Sequence, residues 1–499
     1  MRKLVVLSLI GFLILAFGTV YAQEKKEEPK LEVKISGNIW TWSSWLRNNT
    51  EGAINTSNIA YDSVSSKYKP NGDGYDKTVA FMTSRARLKF DAIYGKNASG
   101  TIFFEMDSAK WGDGASGSVV QRNVMGHWSG DRAAVEVKNV YVDFGLPFIP
   151  VPVSMRVGLQ PLNIRNPVFV YTDGMGITTN IKVDPANIQL LWFKPVENRL
   201  ETADDSDVYG IHGNAKIGPI TAGGYFLYYN MNAYPMPIYN VPDLAKASYS
   251  ADFWWLGVYA DGKVGPVGLN FDFIYDRGTV ERRFANWRDT KYRGWATRLK
   301  IDYPWEAFNF GLIGMYATGA DTRKTDPTGL PNASGTNRKV GTYVIPPGSE
   351  TFGIFTEGIV FYGSGLNNTS SGIGVAANYT TVSRGSFGGT WMAKLYGSYK
   401  ATPWYKVTLQ GLYIGDTTKN GNTVGTARKA DGETFRDDKT IGWEFDLIND
   451  FQIFKNLTYS VGLGVLFPGD GLKYWDSVRE KNDKPKTPWA VLTQLAYSF

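Results

Sequence analysis

The sequence predicts a closed antiparallel β-barrel of the kind that spans an outer membrane. Three observations predict it. From Leu31 to Phe499, segments of about ten residues alternate apolar and polar side chains, the period-2 signature of strands. Short Gly, Pro or Asn turns alternate with long polar connections, so the two rims of the sheet differ, as the two rims of a membrane barrel do. The chain also ends inside a strand, on Phe499; such an apolar edge is an aggregation hazard unless it pairs, and closure onto the first strand pairs it.

The composition of the 499 residues agrees. There are 16 Trp, 29 Tyr, 27 Phe and 55 Gly, with no Cys and two His. Without Cys there are no disulfides, thiolate metal sites or cysteine nucleophiles. Mean hydropathy is −0.25, and beyond the N-terminus no apolar run reaches the ~18 residues of a membrane helix. Basic residues (53) nearly balance acidic ones (47), and no basic run marks a nucleic-acid partner.

Taken in order, residues 1–22 read as a signal peptide: Arg2 and Lys3 precede an apolar run at 4–18, and Val20-Tyr21-Ala22 is a small-residue cleavage site. Residues 23–30 are a short charged linker, and 31–499 form the barrel. Strands are predicted at 31–46, 79–94, 99–110, 134–144, 151–160, 177–183, 188–194, 208–217, 220–230, 251–262, 267–275, 292–303, 308–318, 389–400, 405–414, 440–448, 456–467 and 489–499. The clearest is the second, where Arg85, Arg87, Lys89 and Asp91 alternate with Ala86, Leu88, Phe90 and Ala92; the third answers with Glu105 and Asp107 between Phe104 and Met106. Arg156, Arg298, Lys300, Lys394, Glu444 and Asp446 continue the ionic face. That makes eighteen strands, an even number that puts both termini on the short-turn side. Sixteen remain if 177–194 is not a hairpin, and twenty if 319–388 hides one at 352–363 and 371–382. Aromatic residues crowd the short-turn ends: Tyr94, Phe144, Tyr303, Trp305, Tyr399, Trp404, Tyr405, Phe451 and Phe454. Amphipathic rings favour the lipid headgroup level, so these read as a girdle.

Chemistry beyond a wet lumen is sparse. His127 and His212 are isolated, and no serine motif accompanies either. Asn71-Gly72-Asp73-Gly74-Tyr75-Asp76 lacks the spacing and closing Glu of a calcium loop. No catalytic residue, metal or cofactor is expected.

The run from Ser84 through Phe90 to Phe103-Phe104-Glu105-Met106, the pair 137–145 and 157–160, and the alternating apolar ending at Tyr497 and Phe499 resemble Gram-negative outer-membrane porins. The resemblance implies a water-filled pore for passive diffusion of small hydrophilic solutes, held in outer-membrane lipid. It also implies a homotrimer, and an assembly signal at Tyr497 and Phe499 for the barrel-assembly machinery. Chain length is closer to the eighteen-strand substrate-selective channels than to the sixteen-strand general ones. In such porins the loop after the fifth strand folds inward as the constriction; here that is 161–176, with Arg165, Tyr171 and Asp173. The expected pore lining is therefore Arg85, Arg87, Lys89, Glu105, Asp107, Arg156, Arg165, Asp173 and Arg298. The alternative is a barrel that anchors an enzymatic or adhesive set of long loops.

Overall fold

The computed structural model describes residues 30–48, 78–112, 135–197, 205–236, 249–283, 289–323, 339–349, 357–364, 380–476 and 479–499. Short pieces at 59–62, 67–70, 124–125, 133, 355 and 366 are also described. The predicted signal peptide, His127 and the 71–76 run lie outside these residues.

Eighteen long strands form the wall. They are β1 (Leu31–Arg47), β2 (Thr78–Tyr94), β3 (Ala98–Trp111), β4 (Glu136–Gly145), β5 (Val153–Ile164), β6 (Val170–Val183), β7 (Ala186–Val196), β8 (Ser206–Ile217) and β9 (Ile220–Tyr234). They continue as β10 (Tyr249–Val264), β11 (Val267–Arg282), β12 (Thr290–Trp305), β13 (Phe308–Ala317), β14 (Thr390–Thr402), β15 (Tyr405–Asp416), β16 (Thr440–Phe454), β17 (Leu457–Pro468) and β18 (Trp489–Ser498). Each pairs antiparallel with its sequence neighbours, and β1 also pairs with β18 from Asn38↔Ser498 to Arg47↔Trp489, which closes the ring. The segment 177–194 is a true hairpin, Val183 facing Ala186. Among the described residues of 352–363 there is no strand. Residues Ile359–Gly363 form one wide helical turn instead, and 371–379 lie outside the described residues.

Alternation sorts the two faces. In β10, Phe253, Trp255 and Tyr259 are buried inward, while Leu256 and Val258 are about half exposed outward. Leu395 and Leu409, 67% and 63% exposed, belong to the same outward belt. An exposed apolar band of this extent would aggregate in water and is at home in lipid. Two aromatic girdles bound it. Near the short turns Phe308 stacks on Tyr399 at 4.6 Å and Tyr405 on Phe451 at 5.0 Å. Toward the other rim Trp295 stacks on Tyr316 at 4.9 Å, and Tyr413 meets Trp443 at 4.8 Å. The eight-residue step along β12 from Trp295 to Tyr303 corresponds to ~20 Å of height at strand rise and barrel tilt, close to the apolar band of such barrels.

Candidate functional site: a lumen partly filled by two inserts

The first insert is a hairpin, which corrects the expected loop at 161–176. Residues 161–164 belong to β5 and 170–176 to β6; only 165–169 turn. Pairing of β4 with β5 stops at Val140↔Leu159, and pairing of β6 with β7 stops at Met175↔Lys194. Above those points the backbones of 160–164 and 170–174 pair as strands only with each other, so the tip is free to leave the wall. It leaves at Gly158, whose φ of +132° suits glycine and where a Cβ would lie 2.2 Å from the Val140 carbonyl oxygen. The tip is apolar, and it buries inward: Ile164, Val168 and Phe169 are at most 2% exposed. Phe169 stacks on Tyr225 at 4.9 Å and lies 5.9 Å from Trp255, on β9 and β10.

Arg165 completes the crossing. Its guanidinium donates to Asp272 on β11 and, at 2.5 Å, to Asp261 on β10, and it lies 4.1 Å from the centre of the Tyr259 ring. Burial works against its charge, but the bonds to Asp272 and Asp261 outweigh that and raise its pKa, so it stays a cation.

The second insert is a strap from the long β13–β14 connection. Val340 pairs in parallel with Tyr292 of β12. Val344 N–H donates to Asp276 at 3.1 Å, and its carbonyl accepts from Trp255 Nε1 at 2.7 Å. The Tyr343 hydroxyl donates to the Val168 carbonyl at 3.0 Å, joining the two inserts. Farther on, the turn Ile359–Gly363 presents its N–H groups to wall carboxylates. Val360 and Phe361 donate to Glu444 at 2.7 and 2.9 Å, and Ile359 to Asp446 at 3.3 Å. Just before the turn, Glu357 accepts from Arg298 at 2.7 Å and from Lys394 at 3.0 Å.

The remaining expected lining residues sit on the opposite wall. Arg87 donates to Glu105, Glu105 lies 3.5 Å from Lys138, and Lys138 donates to Asp173 at 2.7 Å. Four charges thus run in series over β2, β3, β4 and β6. Asp173 accepts from both Lys138 and Asn139, each at 2.7 Å. Arg85 lies 4.3 Å from the Trp40 ring and 6.0 Å from Trp42; Arg87 lies 5.8 Å from Trp40. Lys89 pairs with Asp91 at 3.0 Å. Arg156 pairs with Asp143 at 2.8 Å and lies 4.0 Å over Tyr141. The Asp107 side chain is outside the described ones. Arg298 is not part of this wall; it holds the strap. His212 points inward and shares a 2.8 Å hydrogen bond with the Tyr259 hydroxyl. Tyr497 and Phe499 face outward on β18 and just past its end, 5.7 Å apart.

Sequence reasoning missed Glu357, Asp261, Asp276 and Tyr343. Each gains its place from a partner at least 59 positions away, and only Asp261 and Asp276 carry a local signal, an acid at an inward strand position.

No curated protein matches the sequence. Three solved proteins of Pseudomonas aeruginosa are similar in structure over almost the whole chain. OccK8 (OprE) has TM-score 0.49 and 10% identity, covering 94% of this chain and 98% of that one. OccK2 (OpdF), solved in complex with glucuronate, has TM-score 0.49 and 8% identity, with the same two coverages. OpdO has TM-score 0.48 and 12% identity, covering 94% and 97%. A family model described as alginate export matches residues 72–330, just over half of the chain. The chain belongs to the alginate export family, and its barrel is an outer-membrane channel.

Proposed function

We propose that the channel passes acidic, hydroxyl-rich solutes of carbohydrate type along the wall formed by β1 to β5. One observation carries this reading. The described inserts pack against the wall from β9 to β18, while the cation–aromatic groups Arg85–Trp40, Arg87–Trp40 and Arg156–Tyr141 stand outside that stretch, on β1 to β5. Guanidinium forks suit carboxylates, and aromatic faces suit the apolar faces of sugar rings. A pore of that chemistry orients an acidic sugar without holding it tightly, because each cation already has a carboxylate or an aromatic neighbour. The family description, alginate export, names an acidic polysaccharide and agrees in class. In this reading Arg165 and the tip at 165–169 narrow the passage, and the strap sets its far wall. Tyr497 and Phe499 serve assembly, and the homotrimer implied by the porin resemblance belongs to the same proposal; heat-resistant oligomer bands on a gel check it.

Liposome swelling tests the solute class. Glucuronate is expected to enter liposomes carrying the channel faster than glucose, which is almost the same size. Equal rates, or faster entry of glucose, would overturn the reading.

A further inference from the structure

We propose that the short-turn mouth of the lumen holds a capture subsite for an anionic polyol, a built chamber that loads the pore from the periplasmic side. The inference rests on the acidic-solute reading above and deepens it.

A cavity of about 670 Å3 opens at that mouth between the β4–β5 turn and the ends of β6, β7 and β8. The size falls within the range of roughly 300–1,000 Å3 in which small-molecule sites occur. Apart from Lys182, its inward-pointing lining is dominated by uncharged hydrogen-bonding side chains: Asn180, Asn187, Gln189, His212 and Asn214. They stand on three adjacent strands at every second residue, so the period-2 pleat turns them all to one side. Gln189 Nε2 donates to Asn180 Oδ1 at 2.9 Å and Asn187 Nδ2 lies 3.4 Å from Asn214 Oδ1, which fixes the amide planes while leaving further donors and acceptors on each. Paired amides of this kind bond both oxygens of a vicinal diol. Leu146, Pro147 and Val153 supply an apolar edge for a ring face.

Charge marks the sign of the ligand. No carboxylate lines the chamber, and Lys182 does. Deeper in the lumen Arg87, Lys138, Arg156, Arg165, Arg298 and Lys394 are each paired with a carboxylate. Lys182 and its rim neighbours Lys216 and Lys263, at inward positions of β6, β8 and β10, are exposed and have no ion-pair partner among the described residues. Asp184, in the adjoining turn, is not among the lining residues. Unpaired cations at a mouth and paired ones inside make a funnel that concentrates anions at the entrance and releases them into a nearly neutral bore. The chemistry is that of a monoanionic sugar: several hydroxyls for the amides, one carboxylate for Lys182. The chamber lies on the side from which an exported solute arrives.

The test is block of single-channel current by tri-galacturonate in a planar bilayer, with the trisaccharide added to either side and maltotriose as the neutral control. The intact channel is expected to be blocked at lower concentration from the short-turn side. In the triple variant Asn180→Ala, Gln189→Ala, Asn214→Ala the half-blocking concentration from that side is expected to rise by about fivefold or more, the loss of at least one net hydrogen bond. Block from the far side should stay unchanged. Lys182→Ala with Lys216→Ala should slow the onset of block, most at low salt. Open-channel conductance and heat-modifiability show whether each variant is folded. If a folded triple variant keeps the intact channel's block from the short-turn side, or loses block equally from both sides, the chamber is not a subsite. If the intact channel is blocked by neither sugar, or by both alike, the acidic-solute reading itself falls.

Discussion

Glu357 is a carboxylate 2% exposed that meets two cations, Arg298 and Lys394, from two non-adjacent strands. Burial alone would raise its pKa, but Lys394 and Arg298 outweigh burial and hold it below the usual glutamate value of 4.5. A depressed folded-state pKa stabilises the docked strap at every pH above the ordinary value, and the contribution is lost as pH falls through the lower one. Strap docking is therefore expected to be constant across neutral pH and to loosen only in acid below 4.5; limited proteolysis of the connection 319–388 against pH checks this. Glu357→Gln leaves Arg298 and Lys394 buried without their counter-charge, a loss of about 3–5 kcal/mol in docking. The expected results are faster cleavage of the strap at neutral pH and noisier single-channel current. A variant as resistant and as quiet as the native channel would mean that the N–H bonds to Glu444 and Asp446 hold the strap alone.

At the scale of elements, the hairpin of β5 and β6 carries the clearest prediction. Its tip is tied across the lumen by Arg165 to Asp261 and Asp272, and seated by Phe169 on Tyr225. Replacing 165–169 by Asn-Gly, which turns a hairpin in two residues, removes both ties. Single-channel conductance is expected to increase with folding intact; unchanged conductance would place the narrowest point elsewhere, at the strap. Elements of this protein were legible in the sequence to different depths. All eighteen wall strands follow from period-2 alternation and turn residues, because a strand with one wet and one lipid face has to alternate. The ionic face of β2 announces Arg85, Arg87 and Lys89 for the same reason. The tip at 161–176 reads as a loop because Pro161, Asn163, Asn166 and Pro167 break alternation, although backbone pairing continues to Ile164↔Val170. The strap is illegible: its bonds join backbone N–H groups, which carry no sequence signature, to carboxylates on distant strands.

The whole molecule depends on closure and on the charge of its bore. Closure ends at Phe499, whose N–H donates to the Gly37 carbonyl at 3.0 Å and whose carbonyl accepts from Gly37 N–H at 2.9 Å. A Cβ on Gly37 would lie 2.7 Å from the Phe499 ring, so the glycine makes room for the last side chain. Deleting Phe499, or Gly37→Val, is expected to lower the amount of heat-modifiable barrel in the outer membrane; unchanged levels would mean that Asn38↔Ser498 and the pairs beyond it suffice. The bore gives the last prediction. On the wall from β1 to β6 three cations, Arg85, Arg87 and Lys138, stand with two anions, Glu105 and Asp173. Arg85→Ser with Arg87→Ser turns three against two into one against two, so the local sign reverses while the side chains shrink. Glu105 then keeps only Lys138, 3.5 Å away. Fields of this kind are screened over about 10 Å at 0.1 M salt, comparable with the width of a narrow pore, so the measurement belongs at or below that ionic strength. Reversal potential in a salt gradient is expected to shift toward cations, and conductance to rise as two large side chains leave the wall. Glucuronate should lose its advantage over glucose in the same variant. If reversal potential, conductance and solute preference all stay where they were, the solute path does not follow β1 to β5, and the arginines there serve only to tie the strands together.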